Sequence, residues 1–163
     1  MSDPIPAGTT IGHVHLKVSN IEKALTFYRD VLGFEVMITD NQTVAFLSAG
    51  GYHHHIGLNT WDSANGKPPP AGTTGLYHAA ILYPTRKALA RALQRLMENN
   101  YALDGASDHG VSEALYLHDP DHNGIELYAD RDRADWPKTS DGEFTMFTKA
   151  LNFESLLSEL EKG

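Results

Sequence analysis

The chain has no cysteine among its 163 residues, which excludes disulfides, thiolate metal sites and cysteine nucleophiles together and is compatible with a reducing cytosol. Positive charge is scarce as well: 13 Lys and Arg stand against 21 Asp and Glu, for a formal net charge of −8. A nucleic-acid footprint normally needs a basic face, so no nucleic-acid partner is expected. The apolar runs are far too short to span a bilayer, and no membrane partner is expected. The opening Met1-Ser2-Asp3-Pro4-Ile5-Pro6 has no basic segment followed by an apolar one, so no secretory leader is expected and the reading is cytoplasmic. A chain of this length is most simply one domain with an adequate core. What it holds in excess is histidine, nine in all, and that fits a metal site better than any other reading.

Two stretches are alike. Gly12-His13-Val14-His15-Leu16-Lys17-Val18 opens one and Tyr77-His78-Ala79-Ala80-Ile81-Leu82-Tyr83 the other. Each leads into a helix-like run, with Lys23-Ala24-Leu25 in the first and Lys87-Ala88-Leu89 in the second. Each closes on a related strand, His55-Ile56-Gly57-Leu58 and Gly124-Ile125-Glu126-Leu127. A unit repeated within one short chain implies two copies packed about a pseudo-twofold axis.

In the first unit Ser19-Asn20-Ile21-Glu22 fits a capping box with Ser19 as the cap. Ile21, Ala24, Leu25, Tyr28 and Leu32 then recur at helical spacing until Gly33. Strands are expected over 34–39, 43–48 and 53–60. In the second unit Thr85 caps a helix carrying Ala88, Leu89, Ala92, Leu93 and Leu96, ended by Asn99-Asn100. Strands are expected over 102–107, 114–118 and 124–129. The fold class is therefore α+β, built of two βαβββ modules over about 9–61 and 76–130. Residues 62–75, with Pro68-Pro69-Pro70, form a connector. Beyond the 9–130 domain, residues 131–163 form a C-terminal extension. It has a short amphipathic helix over 152–162 that would bury Phe153, Leu156, Leu157 and Leu160.

In the repeat register His13 overlays His78 and Gly57 overlays Glu126. His13, His78 and Glu126 are thus the candidate metal ligands. Two imidazoles and one carboxylate, with positions left open, suit Fe(II), with Mn(II) as an alternative. Glu126 lies between Ile125 and Leu127, so its side chain leaves the apolar layer, and a carboxylate held there wants a cation. Gly57 leaves the fourth corner without a side chain. His15 shares a strand face with His13 and competes for its role. In Tyr52-His53-His54-His55 strand alternation puts His55 on the face of Gly57, as a pocket residue able to bond or move protons, and His54 on the opposite face as a structural residue. His109 lies on a loop before the last hairpin, where a histidine can titrate near neutrality. Tyr116, one hairpin strand before Glu126, can point at the same metal-bound ligand. His118 and His122 flank a tight turn and are expected to be solvated.

Residues 12–18 followed by 24–34 resemble the vicinal oxygen chelate superfamily, which includes glyoxalase I, bleomycin-resistance proteins and extradiol dioxygenases. The closer similarity is to catechol-2,3-dioxygenase (extradiol) proteins, carried by residues 52–61, 72–78, 104–116 and 119–128. It spans about residues 9–137. The resemblance implies a half-open barrel of paired βαβββ modules with Fe(II) on His13, His78 and Glu126. A catechol-like aromatic diol chelates the metal through both oxygens, and O2 binds beside it. Tyr116 matches the substrate-binding tyrosine and His109 the acid–base histidine. Many extradiol chains carry four such units and this one carries two, so a homodimer is expected to complete or close the site. Two other readings stand beside this one. A glyoxalase-like metal-dependent isomerase or lyase is opposed by Gly57, where glyoxalases usually place a carboxylate. A metal-free bleomycin-resistance-type binding protein is opposed by the three ligand residues.

Overall fold

The computed structural model describes residues 3–162, in two compact units that divide between Lys67 and Pro68, inside the proline-bearing connector. Each unit has its own open sheet, so the α+β class and the repeated βαβββ module are both present. Among the described residues no helix is long and apolar enough to cross a membrane.

The first unit runs β1 (Val14–Lys17), α1 (Ile21–Leu25), β2 (Glu35–Thr39), β3 (Val44–Ser48) and β4 (Ile56–Asn59), with sheet order β1-β4-β3-β2. Its helix starts one residue later than the capping box predicts. Asn20, not Ser19, is the extended cap, and its Oδ1 accepts from Lys23 N at 2.8 Å. Both residue types cap well; Asn20 as cap makes Ile21 the first helical residue, and Ile21, Ala24 and Leu25 are buried. Beyond Leu25 the backbone widens into a π-helical stretch, Thr26–Val31, after which Leu32 N–H donates to Phe27 O at 2.9 Å. Phe27 and Tyr28, within that stretch, are both buried. Gly33, at φ 90°, ends it. The last strand of the module begins later than residue 53. Gly50 and Gly51 both turn through positive φ, and regular pairing resumes only at Ile56. All four residues of β4 are buried, between β1 and β3.

The second unit runs β5 (Ala79–Leu82), α2 (Arg86–Glu98), β6 (Gly105–Asp108), β7 (Ser112–His118), β8 (Gly124–Asp130), β9 (Lys149–Ala150) and α3 (Phe153–Leu157), with sheet order β5-β8-β7-β6-β9. Thr85 caps α2 as expected, its Oγ1 accepting from Ala88 N at 3.0 Å. Leu89, Ala92, Leu93 and Leu96 are buried as α2 packs on β8. On β8 Ile125, Leu127 and Ala129 are buried and Glu126, Tyr128 and Asp130 lie on the more open face. The C-terminal extension is built into this unit. Its two-residue β9 pairs with β6, and α3 packs on α2 with Leu156 fully buried. The expected amphipathic helix is only partly realised: five α-helical residues pass into a tighter turn, Ser158–Leu160, and Phe153 is left exposed. A change of helical pitch within three turns prevents one continuous apolar stripe.

A charged network fastens these parts. Glu113 on β7, itself buried, accepts from Arg86 Nε at 2.7 Å and Arg131 Nη2 at 3.0 Å. Arg86 reaches on to Glu159 at 2.7 Å and the Ser155 carbonyl at 2.9 Å. Arg131 reaches Asp108 Oδ2 at 3.0 Å.

Candidate metal centre

The strand ladders repeat the register read from the sequence. In the first unit Val14 pairs with Ile56 and His15 with Gly57; in the second Ala79 pairs with Ile125 and Ala80 with Glu126. His13 and His78 therefore each stand one residue before a parallel edge strand, and Gly57 and Glu126 occupy the same rung of the neighbouring strand. The ladders also end alike: Val18 N–H donates to Asn59 O at 2.9 Å, and Tyr83 N–H to Tyr128 O at 2.7 Å.

In the second unit the repeat brings two candidate ligands together. His78 Nε2 lies 2.9 Å from Glu126 Oε2, and the Glu126 side chain is only 14% exposed. A half-buried imidazole nitrogen and a carboxylate oxygen converging at this distance are the right donor types for a divalent first-row ion. Tyr116 is the direct cross-strand neighbour of Glu126, and its hydroxyl donates to Oε1 at 3.2 Å. Burial first, and then the charge and hydrogen bond of Glu126, push the Tyr116 phenol up to about 12. It therefore stays a neutral donor across the physiological range. His109 Nε2 is 2.8 Å from the Tyr116 hydroxyl, and its Nδ1 is 3.2 Å from Thr148 Oγ1. The loop that carries His109 is three residues long, with Gly110 at φ 78°. A Cβ on Gly110 would come within 2.7 Å of the Phe147 ring, so a side chain there would displace the extension.

In the first unit the His13 ring lies 4.4 Å from that of His54. His54 packs 4.9 Å from Phe46, and its Nδ1 is 2.8 Å from Nδ1 of His53. The expectation that His54 faces away is corrected here. Residues 53–55 precede β4, so strand alternation does not govern them. His55 is anchored at the end of β3, its Nδ1 3.1 Å from Ser48 Oγ and accepting from Ala49 N at 3.3 Å. His15 takes up the corner left by Gly57: a Cβ on Gly57 would lie 2.9 Å from the His15 ring. Its Nε2 is 3.0 Å from the Asn59 amide, and its ring is 5.7 Å from both Phe46 and Trp61. Burial, and secondarily the proximity of His13, lower its pKa, which favours a neutral ring.

Among the described residues no three His, Asp or Glu side chains are grouped closely enough to hold a metal. His78 and Glu126 come together with Tyr116 and His109; His13, with His55 and His54, belongs to the first unit. His118 is bound to Asp104 at 2.6 Å on the surface. Sequence reasoning missed Thr148, which lies outside the repeat in an irregular segment with no pattern to mark it. It also misplaced His54, for which the paired glycines at 50 and 51 were the available signal that the strand had not yet begun.

A family model described as the Glyoxalase/Bleomycin resistance protein/Dioxygenase superfamily matches residues 10–127. A catechol-2,3-dioxygenase of Bacillus subtilis (strain 168) is 47% identical over 152 residues, which is 93% of this chain and 52% of the relative. Biphenyl-2,3-diol 1,2-dioxygenase 3 of Rhodococcus globerulus is 29% identical over 74% of this chain and 63% of its own length. The chain thus spans from about half to under two thirds of these relatives. Among solved structures, a glyoxalase/dioxygenase from Nostoc punctiforme superposes with a TM-score of 0.64 at 21% identity, covering 81% of this chain and 99% of that one. A lactoylglutathione lyase from Agrobacterium tumefaciens gives 0.57 at 20% identity, covering 76% and 96%. At these identities the structural likeness speaks to the fold.

Proposed function

Since this chain belongs to the glyoxalase/bleomycin resistance protein/dioxygenase superfamily, we propose that it is an Fe(II)-dependent extradiol ring-cleavage dioxygenase acting on a catechol-like aromatic diol. The observation that carries the reading is the run of contacts from His109 through Tyr116 to Glu126 and His78, which supports proton-handling roles for the first two beside two candidate ligand side chains. The likeness to two dioxygenases of aromatic diols supports it. His78 and Glu126 are the ligands this reading gives to Fe(II), or to Mn(II) in its place, and His13, in the first unit, is its third candidate on the strength of the sequence repeat alone. The ion would supply Lewis acidity toward the diol oxygens and the redox chemistry needed with O2.

The roles of the protein groups follow from their contacts. Tyr116, kept protonated, donates to an oxygen acceptor beside Glu126, a place that a substrate oxygen takes when the diol is seated. His109 holds a proton at the far side of the Tyr116 hydroxyl and exchanges it with the substrate as the ring bond next to the diol breaks and both atoms of O2 enter the product. His55, anchored by Ser48, serves as a second proton carrier. We further propose a homodimer of this chain of two βαβββ modules, in which a second copy completes or closes the site. A cysteine-free chain with no membrane-spanning helix among its described residues suits a cytoplasmic enzyme.

The isomerase reading is weaker on one point of geometry: the rung that would carry a fourth, carboxylate ligand is Gly57, closed over by His15. The test is metal content by mass spectrometry on protein purified anaerobically without a His tag, beside Glu126→Ala, followed by O2 uptake with a panel of catechols. Near-stoichiometric Fe or Mn, lost in the variant, with catechol-dependent O2 uptake, is the expected result. Zn or Ni with hemithioacetal turnover would transfer the assignment to an isomerase. No metal in either protein would overturn the oxygenase.

A further inference from the structure

We propose that Thr148, from the C-terminal extension, is a positioning residue that holds His109 in the tautomer carrying its proton on Nε2, facing Tyr116. This rests on the reading of His109 as the proton carrier of the site.

The argument is one of hydrogen-bond polarity. A phenol has one hydrogen to give, and Tyr116 gives it to Glu126 Oε1, since a carboxylate only accepts. The 2.8 Å contact between His109 Nε2 and the Tyr116 oxygen must then be donated by the imidazole. A neutral imidazole with its hydrogen on Nε2 presents a lone pair at Nδ1, and Thr148 Oγ1, 3.2 Å away, can donate to it. The hydrogens thus run in one direction, from Thr148 to His109 to Tyr116 to Glu126. Without the threonine hydroxyl, water can meet either protonation pattern at Nδ1, and the preference for one tautomer weakens.

The backbone makes Thr148 a fixed partner although its own side chain is exposed. On one side Phe147 N–H donates to His109 O at 3.3 Å; on the other, Lys149 pairs with Asp108 in the β6–β9 ladder. Thr148 is therefore held opposite His109 at a set register. The Phe147 ring against Gly110 keeps the extension seated on the same loop.

The test uses the full chain labelled with 15N-histidine, any bound iron exchanged for zinc, and long-range 1H–15N spectra at a pH where His109 is neutral. A His109→Gln variant identifies the resonances. The wild type is expected to show the Nε2–H pattern, Thr148→Val a mixture of both tautomers, and Thr148→Ser the wild-type pattern again. In the iron-loaded enzyme Thr148→Val is expected to lower kcat about fivefold, the order of one neutral hydrogen bond, with KM unchanged and rescue by Thr148→Ser. A wild type with its hydrogen on Nδ1, or a Thr148→Val spectrum identical to wild type, overturns the proposal. A wild type that turns over no catechol, yet whose His109 tautomer responds to Thr148→Val, sinks the dioxygenase reading alone.

Discussion

Removing the carboxylate of Glu113 should destabilise the second unit by more than any surface charge change. The Glu113 side chain is 8% exposed and accepts from two guanidiniums, at 2.7 and 3.2 Å from Arg86 and 3.0 Å from Arg131. Glu113→Ala leaves two positive groups facing one half-buried hole. Breaking a fully buried pair in this way costs about 3–5 kcal/mol. Here the arginines are 31% and 30% exposed, and each keeps another carboxylate, Glu159 for one and Asp108 for the other. Water and these partners offset part of the loss, so about 2–3 kcal/mol is expected. For a chain of this size that is a fall in Tm of about 4–12 °C. Urea denaturation followed by Trp136 fluorescence is the assay. The Trp136 indole donates to Arg131 O at 2.9 Å and reports on this unit, and Trp61→Phe silences the other tryptophan. Glu113→Gln, which keeps one acceptor, should fall between wild type and alanine. A loss below about 0.5 kcal/mol for Glu113→Ala would refute the reasoning, because it would mean that solvent already screens the network.

Two further outcomes follow from local contacts. Asn20→Ala should cost the first unit about 1 kcal/mol and Ser19→Ala clearly less, as measured by chemical denaturation; the reverse order would restore Ser19 as the cap. The Arg131 guanidinium on Asp108, aided by the Gly110 amide, holds that carboxyl below the usual aspartate value, so its contribution is present above the unfolded pKa and lost as pH falls through the lower folded one. The Tm gap between wild type and Asp108→Asn should therefore be flat between about pH 7 and 5 and shrink below about pH 4; a gap unchanged on the acid side would contradict the ion pair.

The repeat was legible because it is written in one-residue detail: His13 and His78 stand one residue before equivalent strands, and Gly57 and Glu126 fall on equivalent rungs of the two ladders. Alternation alone was enough to set Glu126 apart from Ile125 and Leu127 on β8. Reading failed where the local signal was degenerate or absent. Ser19 and Asn20 are equally competent caps, and only tertiary burial of Ile21 decides between them. The π-helical stretch at Thr26–Val31, with Phe27 and Tyr28 buried within it, departs from the 3.6-residue period on which a sequence reading of helices rests. His54 reached His13 because a strand assumed to begin at residue 53 begins at Ile56. Thr148 carried no pattern at all; its position follows from a two-residue pairing that forms only when β6 is already in place.

The way the extension is sewn into the second unit bears on how the protein emerges from the ribosome. Every strand of the first unit lies before Lys67, so that sheet can close while most of the chain is still unmade. The second unit has no such liberty. Arg86 must await partners 69 and 73 residues downstream, at Ser155 and Glu159, and the outer edge of β6 stays bare until β9 is synthesised. Glu126 can meet His78 well before the loop bearing His109 is fastened. Translation would therefore deliver His78 and Glu126 first and Thr148, the partner of His109, last. A nascent chain stalled before residue 147 would lack the Thr148 contact and expose the outer edge of β6, the kind of surface that invites pairing with another chain.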